Sequence, residues 1–127
     1  MQIERYKDVT VEGRDFRIGL MTAKIGAWCG LQIASGNVAD EAVYEKIRNY
    51  LFNEISAYVE KGGVRVPMRI YSNGQWLMPE FEYDLLTADG LFWEAMGFNF
   101  DPFLAKLKKQ AAERKAAKEA EMQDTSQ

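Results

Sequence analysis

Val9-Thr10-Val11 and Phe16-Arg17-Ile18-Gly19-Leu20 alternate apolar and polar side chains with a period of two. That period sends neighbouring residues to opposite faces of a strand, so it predicts two short strands over residues 2–11 and 14–21. Glu12-Gly13 stands between them, where a glycine able to take positive φ suits a tight turn. The period then changes. Behind Thr22, a good N-cap, Ile25, Trp28, Cys29 and Leu31 fall near helical spacing, which predicts a helix to about Ser35. Gly26 and Gly30 lie four apart on one of its faces, marking either a close backbone approach or, more simply, a shallow packing seam.

Helical spacing is strongest through Val43, Ile47, Tyr50, Leu51, Ile55 and Tyr58, with Asp40 as cap and charged residues over the remaining faces. It predicts a helix over residues 40–60, with Lys61-Gly62-Gly63 as its glycine-terminated end. Alternation returns at Val64, Val66, Met68 and Ile70, crosses Asn73-Gly74 and resumes at Trp76 and Leu77. Asn-Gly is the favoured pair for a two-residue type I′ turn, so this stretch predicts a second hairpin. Pro67 and Pro79 cannot donate to a ladder and belong at edges or strand ends.

Residues 84–100 hold Leu85, Leu86, Leu91, Phe92, Trp93, Met96 and Phe98, and predict a helix. Asp101-Pro102 predicts the start of another, since Asp caps well and Pro is tolerated at the first position. After Phe103, Leu104 and Leu107 the apolar face stops: residues 108–122 favour helix but have nothing to bury. These elements make an α+β fold. A single small domain over residues 1–107 packs two short β-hairpins on three or four helices, and residues 108–127 form a solvated, charged, Ala-rich helical tail that frays at its end.

Composition changes this picture mainly by subtraction. The 127-residue chain contains no histidine, the side chain most used as a general acid or base near neutral pH. Its one cysteine, Cys29, lies among apolar and small residues, where a buried small hydrophobe is the simpler reading than a nucleophile. No catalytic residue, cofactor, metal site or small-molecule substrate is therefore expected, and the protein reads as a non-enzyme. Hydrophobic residues at 47% and charged residues at 28% suit a packed domain. The net charge of −3 offers no general attraction to nucleic acid. Residues 105–127 mix six basic with four acidic residues and interleave no aromatic ring for base stacking. No apolar run reaches the roughly 18–20 residues of a membrane span, and MQIERYKDVTVEGRD is too charged for a signal peptide. The expectation is a cytoplasmic protein without membrane or nucleic-acid partners.

Two clusters remain. Glu80, Glu82 and Asp84 alternate with Phe81 and Tyr83, so in a strand the three carboxylates would share a face, as a hard-cation site requires. An outward-facing polar strand edge predicts the same alternation, and no glycine-rich calcium loop accompanies it. Trp76, Phe92, Trp93, Phe98, Phe100 and Phe103 crowd into fewer than thirty residues. Part of that cluster must be core, but Trp and Phe are also favoured at the centre of protein interfaces. Phe92, Trp93, Phe98, Phe100 and Phe103 are the expected partner-binding residues. Six methionines, adaptable in shape, point the same way.

Over roughly residues 8–107 the order of parts resembles the tail assembly chaperones of long-tailed, siphovirus- or myovirus-like phages and prophages. The resemblance is carried by "VTVEGRDFRIGLMTAKIGAW", by the middle amphipathic helix, by "RIYSNGQW", and above all by "LFWEAMGFNFDPFL" ahead of a charged tail. It implies a non-enzymatic chaperone that binds the long, hydrophobic and largely helical tape measure protein and keeps it soluble and extended. Such a chaperone helps recruit tail tube protein, self-associates along its client, acts in the cytoplasm of the bacterial host and is absent from the mature virion. The resemblance also implies a longer frameshifted product, for which the polar helix from about Lys108 would be the stalk. Three other readings stay open: a structural phage component such as a head–tail connector or tail completion protein, a small metal-dependent enzyme using Glu80, Glu82 and Asp84, and a small anti-host or regulatory adaptor.

Overall fold

The computed structural model describes residues 4–125; the start of the first expected strand at residues 2–3 and the tail residues 126–127 lie outside the described residues. Among the described residues the fold is α+β, a four-stranded antiparallel sheet with three α-helices and a short two-stranded ribbon. The first hairpin forms as expected. Strand β1 (Tyr6–Val11) pairs with β2 (Arg14–Gly19), and Glu12 and Gly13 both take positive φ, as a type I′ turn requires. Helix α1 (Ala23–Ala34) follows, with Thr22 Oγ1 accepting the Ile25 N–H. Helix α2 (Glu41–Phe52) starts where Asp40 accepts the N–H groups of Ala42 and Val43.

Three expectations are corrected. The helix expected over 40–60 ends at Phe52, and Ile55–Lys61 is strand β3. Ile55 and Tyr58 satisfy a helical period, yet Ile55, Ala57 and Val59 also alternate with Ser56, Tyr58 and Glu60. The sheet decides, because the register Phe16↔Ala57 and Ile18↔Ile55 sets four fully buried side chains side by side. Asn53 enforces the break: its side chain accepts the Asn73 N–H at 2.8 Å and its carbonyl accepts from Arg69 at 2.7 Å.

Gly62-Gly63, expected as a helix end, is the turn of a β3–β4 hairpin, with φ of 59° and 79°. Strand β4 (Val64–Arg69) therefore pairs with β3 rather than across Asn73-Gly74. The Asn-Gly turn does form, but it joins only β5 (Tyr71–Ser72) to β6 (Gln75–Trp76). That ribbon stacks Tyr71 and Trp76 on Phe52, with ring centroids 5.2–5.7 Å apart.

Helix α3 runs unbroken over Leu85–Thr125, with Pro102 inside it, so no new helix starts at Asp101-Pro102. Proline removes one bond, the one its N–H would have given the Phe98 carbonyl, while Phe100 and Leu104 on either side continue packing on the core. Continuity of the buried face outweighs the lost bond. All three helices contribute to a core on one side of the sheet, where Phe16, Ile18, Ile55 and Ala57 meet Cys29, Ile47, Leu51, Leu91, Ala95 and Phe100. The other sheet face is wet, as antiparallel sheets allow. It carries Thr10–Asp15 and Arg65–Asp15 contacts at 2.7 and 3.1 Å and Arg17 over the Tyr6 ring at 3.5 Å. Side chains from Lys108 to Ala120 are all exposed. Among the described residues no helix is long and apolar enough to cross a membrane.

Candidate functional site

The aromatic cluster expected to bind a partner divides by helical phase. Phe100 is 2% exposed and Phe92 7%; both belong to the core, Phe92 packing on Tyr44 of α2 at 5.5 Å. Phe98 is partly buried against the same core. Phe103 lies over α1: a Cβ on Gly30 would stand 2.5 Å from Phe103 Cε1, so only glycine leaves room for the ring. Gly30 is thus a close approach, whereas Gly26 faces open space and is not. Trp93 alone of the five points outward, at 62% exposure.

Asn99, between the two Phe residues, holds this part of α3 in place. Its Oδ1 accepts the Met21 N–H at 2.9 Å, and its Nδ2 donates to the Gly19 carbonyl at 3.4 Å and to the Ala95 carbonyl at 3.0 Å. One side chain therefore satisfies the backbone where β2 ends and α1 begins. The "GFNF" stretch is in this respect a structural clasp, a role its sequence pattern did not reveal.

Trp93 stands in an open groove of about 640 Å³ lined by Lys7, Gly90, Glu94, Gly97, Phe98, Asp101 and Pro102. Leu86, Gly90, Trp93 and Gly97 recur at four-three-four spacing, so they share one face of α3, and Leu86 is also exposed. The helix reaches the sheet at Gly90, where a Cβ would meet Val11 Cγ1 at 2.6 Å. Farther along, Lys7 Nζ lies 3.9 Å from the Glu94 carboxylate. Such a surface offers two aromatic rings, a proline, two glycines and a few charges. Sequence reasoning found Trp93 and Phe98 but missed Lys7, Gly97 and Pro102, because only the fold brings β1 beside α3.

The carboxylate cluster does not assemble. Pro79–Phe81 is a 3-10 turn rather than a strand, so Glu80, Glu82 and Asp84 lose their common face. Glu80 lies 3.2 Å from Arg14, and Asp84 accepts the Thr87 N–H and hydroxyl at 3.2 and 2.8 Å. Among the described residues no group of three acidic, cysteine or histidine side chains is placed to hold a metal ion. Cys29 is fully buried, and burial pushes its thiol up to about 11, the opposite of what a nucleophile needs. No protein-family model matches this chain, and no curated protein or solved structure matches it either.

Proposed function

We propose that this chain works by binding another protein, as a non-enzymatic assembly chaperone of the long-tailed phage kind. Its client is the tape measure protein, which it holds in the host cytoplasm while tail tube subunits are recruited, and it leaves before the virion is mature. Copies sit next to one another along the client. The observation that carries this reading is Trp93, a large ring left in solvent beside Phe98 and Pro102 on a face that Leu86 extends. Exposed rings on a folded domain are a common signature of interaction surfaces. Many such weak contacts along one client give strong retention with easy release.

Co-expression with the tape measure protein tests this. The soluble fraction of the client should rise with the wild-type chain and fall back with Trp93→Ala, whose circular dichroism should match wild type. A client that stays insoluble with the wild-type chain overturns the reading. Finding the chain in purified, mature particles overturns it in favour of a structural tail component.

A further inference from the structure

The two edges of the four-stranded sheet differ. The Leu20 N–H bonds the Arg5 carbonyl at 2.9 Å, which sets the parity of β1: Lys7, Val9 and Val11 turn their backbone groups toward β2, and Tyr6, Asp8 and Thr10 turn theirs outward. On β4 the Ile70 N–H bonds the Ile55 carbonyl at 3.3 Å, so Val66 and Met68 pair inward and Arg65, Pro67 and Arg69 face outward. Pro67 thereby removes the central donor of that edge, one of the devices that keeps exposed strands from recruiting other chains. β1 has no such interruption. Among the described residues, the N–H and C=O groups of Tyr6, Asp8 and Thr10 have no backbone partner.

The groove that holds Trp93 lies directly beside that open edge, on the side of the sheet facing the helices. Its floor is α3, passing beneath β1 from Gly90 at Val11 to Glu94 at Lys7. Trp93, Phe98 and Pro102 supply its apolar surface, and Gly97 leaves it deep. Two carboxylates, Glu94 and Asp101, line it with one cation, Lys7, which lies 3.9 Å from Glu94.

We propose that the β1 edge and this groove together form a docking site for an extended segment of another protein, added to the sheet as a fifth strand. The outward row of donors and acceptors accepts only a chain in strand conformation. The period of two then places alternate side chains of that strand over α3. Those side chains are apolar, to cover Trp93 and Phe98, with one Lys or Arg among them to answer the surplus carboxylate. A second copy of this chain is a poorer occupant. Pro67 closes β4, and two-fold pairing of β1 with itself about Asp8 sets like carboxylates opposite each other. The inference stands apart from the phage assignment, since any partner offering such a strand would fit.

The test uses a synthetic nine-residue peptide alternating valine and threonine, with one lysine on the valine side, titrated into the full chain by calorimetry. Two isomers carry N-methyl groups on alternate amides, one set on the odd positions and one on the even. An added strand turns only one set toward β1, so one isomer should keep the parent affinity and the other should lose it by about tenfold or more. Gly97→Leu should also weaken the parent peptide by about tenfold. The new side chain enters the groove, since a Cβ there meets only the Asp101 carboxyl group, with Oδ2 at 3.2 Å, and removing a helical glycine favours folding. Amide shifts of Tyr6, Asp8 and Thr10 on titration should accompany binding. Equal affinity for both isomers, no saturation by about 1 mM of the parent peptide, or a homodimer that occupies these three amides would each overturn the proposal.

Discussion

The two halves of α3 share one continuous backbone and hold it in place by different means. Between Leu91 and Leu104 the helix is fixed by tertiary contact: Leu91, Ala95 and Phe100 are buried, Phe103 seats on Gly30, and Asn99 bonds to the chain at Gly19 and Met21. Between Lys108 and Ala120 every side chain is exposed, and only intrinsic propensity and charge spacing hold the turns. An isolated stretch of that length is marginal in water. The difference shows that helicity and burial are separate properties, and that an aromatic cluster speaks of neither until its phase is known.

The sharpest way to break the packed half is Phe100→Ala. It empties a large, fully enclosed site, and the expected loss is about 3–5 kcal/mol in urea unfolding. Trp93→Ala, seven residues earlier and exposed, should cost less than about 0.5 kcal/mol. Similar losses for the two would mean that the rings are not divided between core and surface as described.

That division also marks where the sequence was readable. The first hairpin, α1 with its Thr22 cap, the Asp40 cap and the polar tail were all legible, because each rests on local chemistry: a turn pair, a capping side chain, a missing apolar face. Residues 55–61 were not. Ile55 and Tyr58 fit both periods, and the choice belongs to Phe16 and Ile18, some forty residues away in sequence. Val64–Arg69 was correctly expected as a strand but given the wrong partner, because Gly62-Gly63 suits a hairpin as well as a helix end. Asp101-Pro102 carried a valid helix-start signal that the packing of Phe100 and Leu104 overrode. Of the site, Trp93 and Phe98 could be named from the chain alone. Lys7, Gly97 and Pro102 could not, since their role depends on β1 lying along α3.

Asn99→Ala sharpens the comparison with a smaller effect. It deletes no apolar volume but leaves the Met21 N–H without its acceptor at a part-buried junction. A loss of about 1–3 kcal/mol is expected, together with faster hydrogen exchange at Met21 that Phe98→Leu would not reproduce. An unchanged exchange rate at Met21 would show that the clasp is dispensable.

A pH titration probes how well α1 seals the core at Cys29. The Cys29 thiol, ordinarily near 9, is pushed up to about 11, chiefly by burial. Its folded value lies above its unfolded one, so the stability it lends is fully present below about pH 9 and is lost as pH rises through about 11. Between those values stability should fall by about 1.4 kcal/mol per pH unit. Burial likewise raises Tyr71, and the Asp8 carboxylate that accepts its hydroxyl proton raises Tyr58, adding loss in the same direction at the alkaline end. Cys29→Ala should flatten the lower part of the curve and leave the tyrosine part. A wild-type curve already flat from pH 9 to 10.5 would mean that water reaches the thiol.

The smallest effect is expected where α3 leaves the domain. Deleting residues 111–127 removes only exposed side chains among those described, and should move the thermal midpoint by no more than about 1 °C. Amide exchange from Lys108 to Ala120 should run close to unstructured rates in the isolated protein while Leu91 to Leu104 stays protected. Should the deletion lower the midpoint by several degrees, the outer half would have to be packing on something in solution, and a concentration-dependent midpoint would identify that as a second copy. Should the midpoint hold while client solubility is lost, the exposed half would be the part that orders only on a partner, and the contrast between the two halves would be one of when each folds.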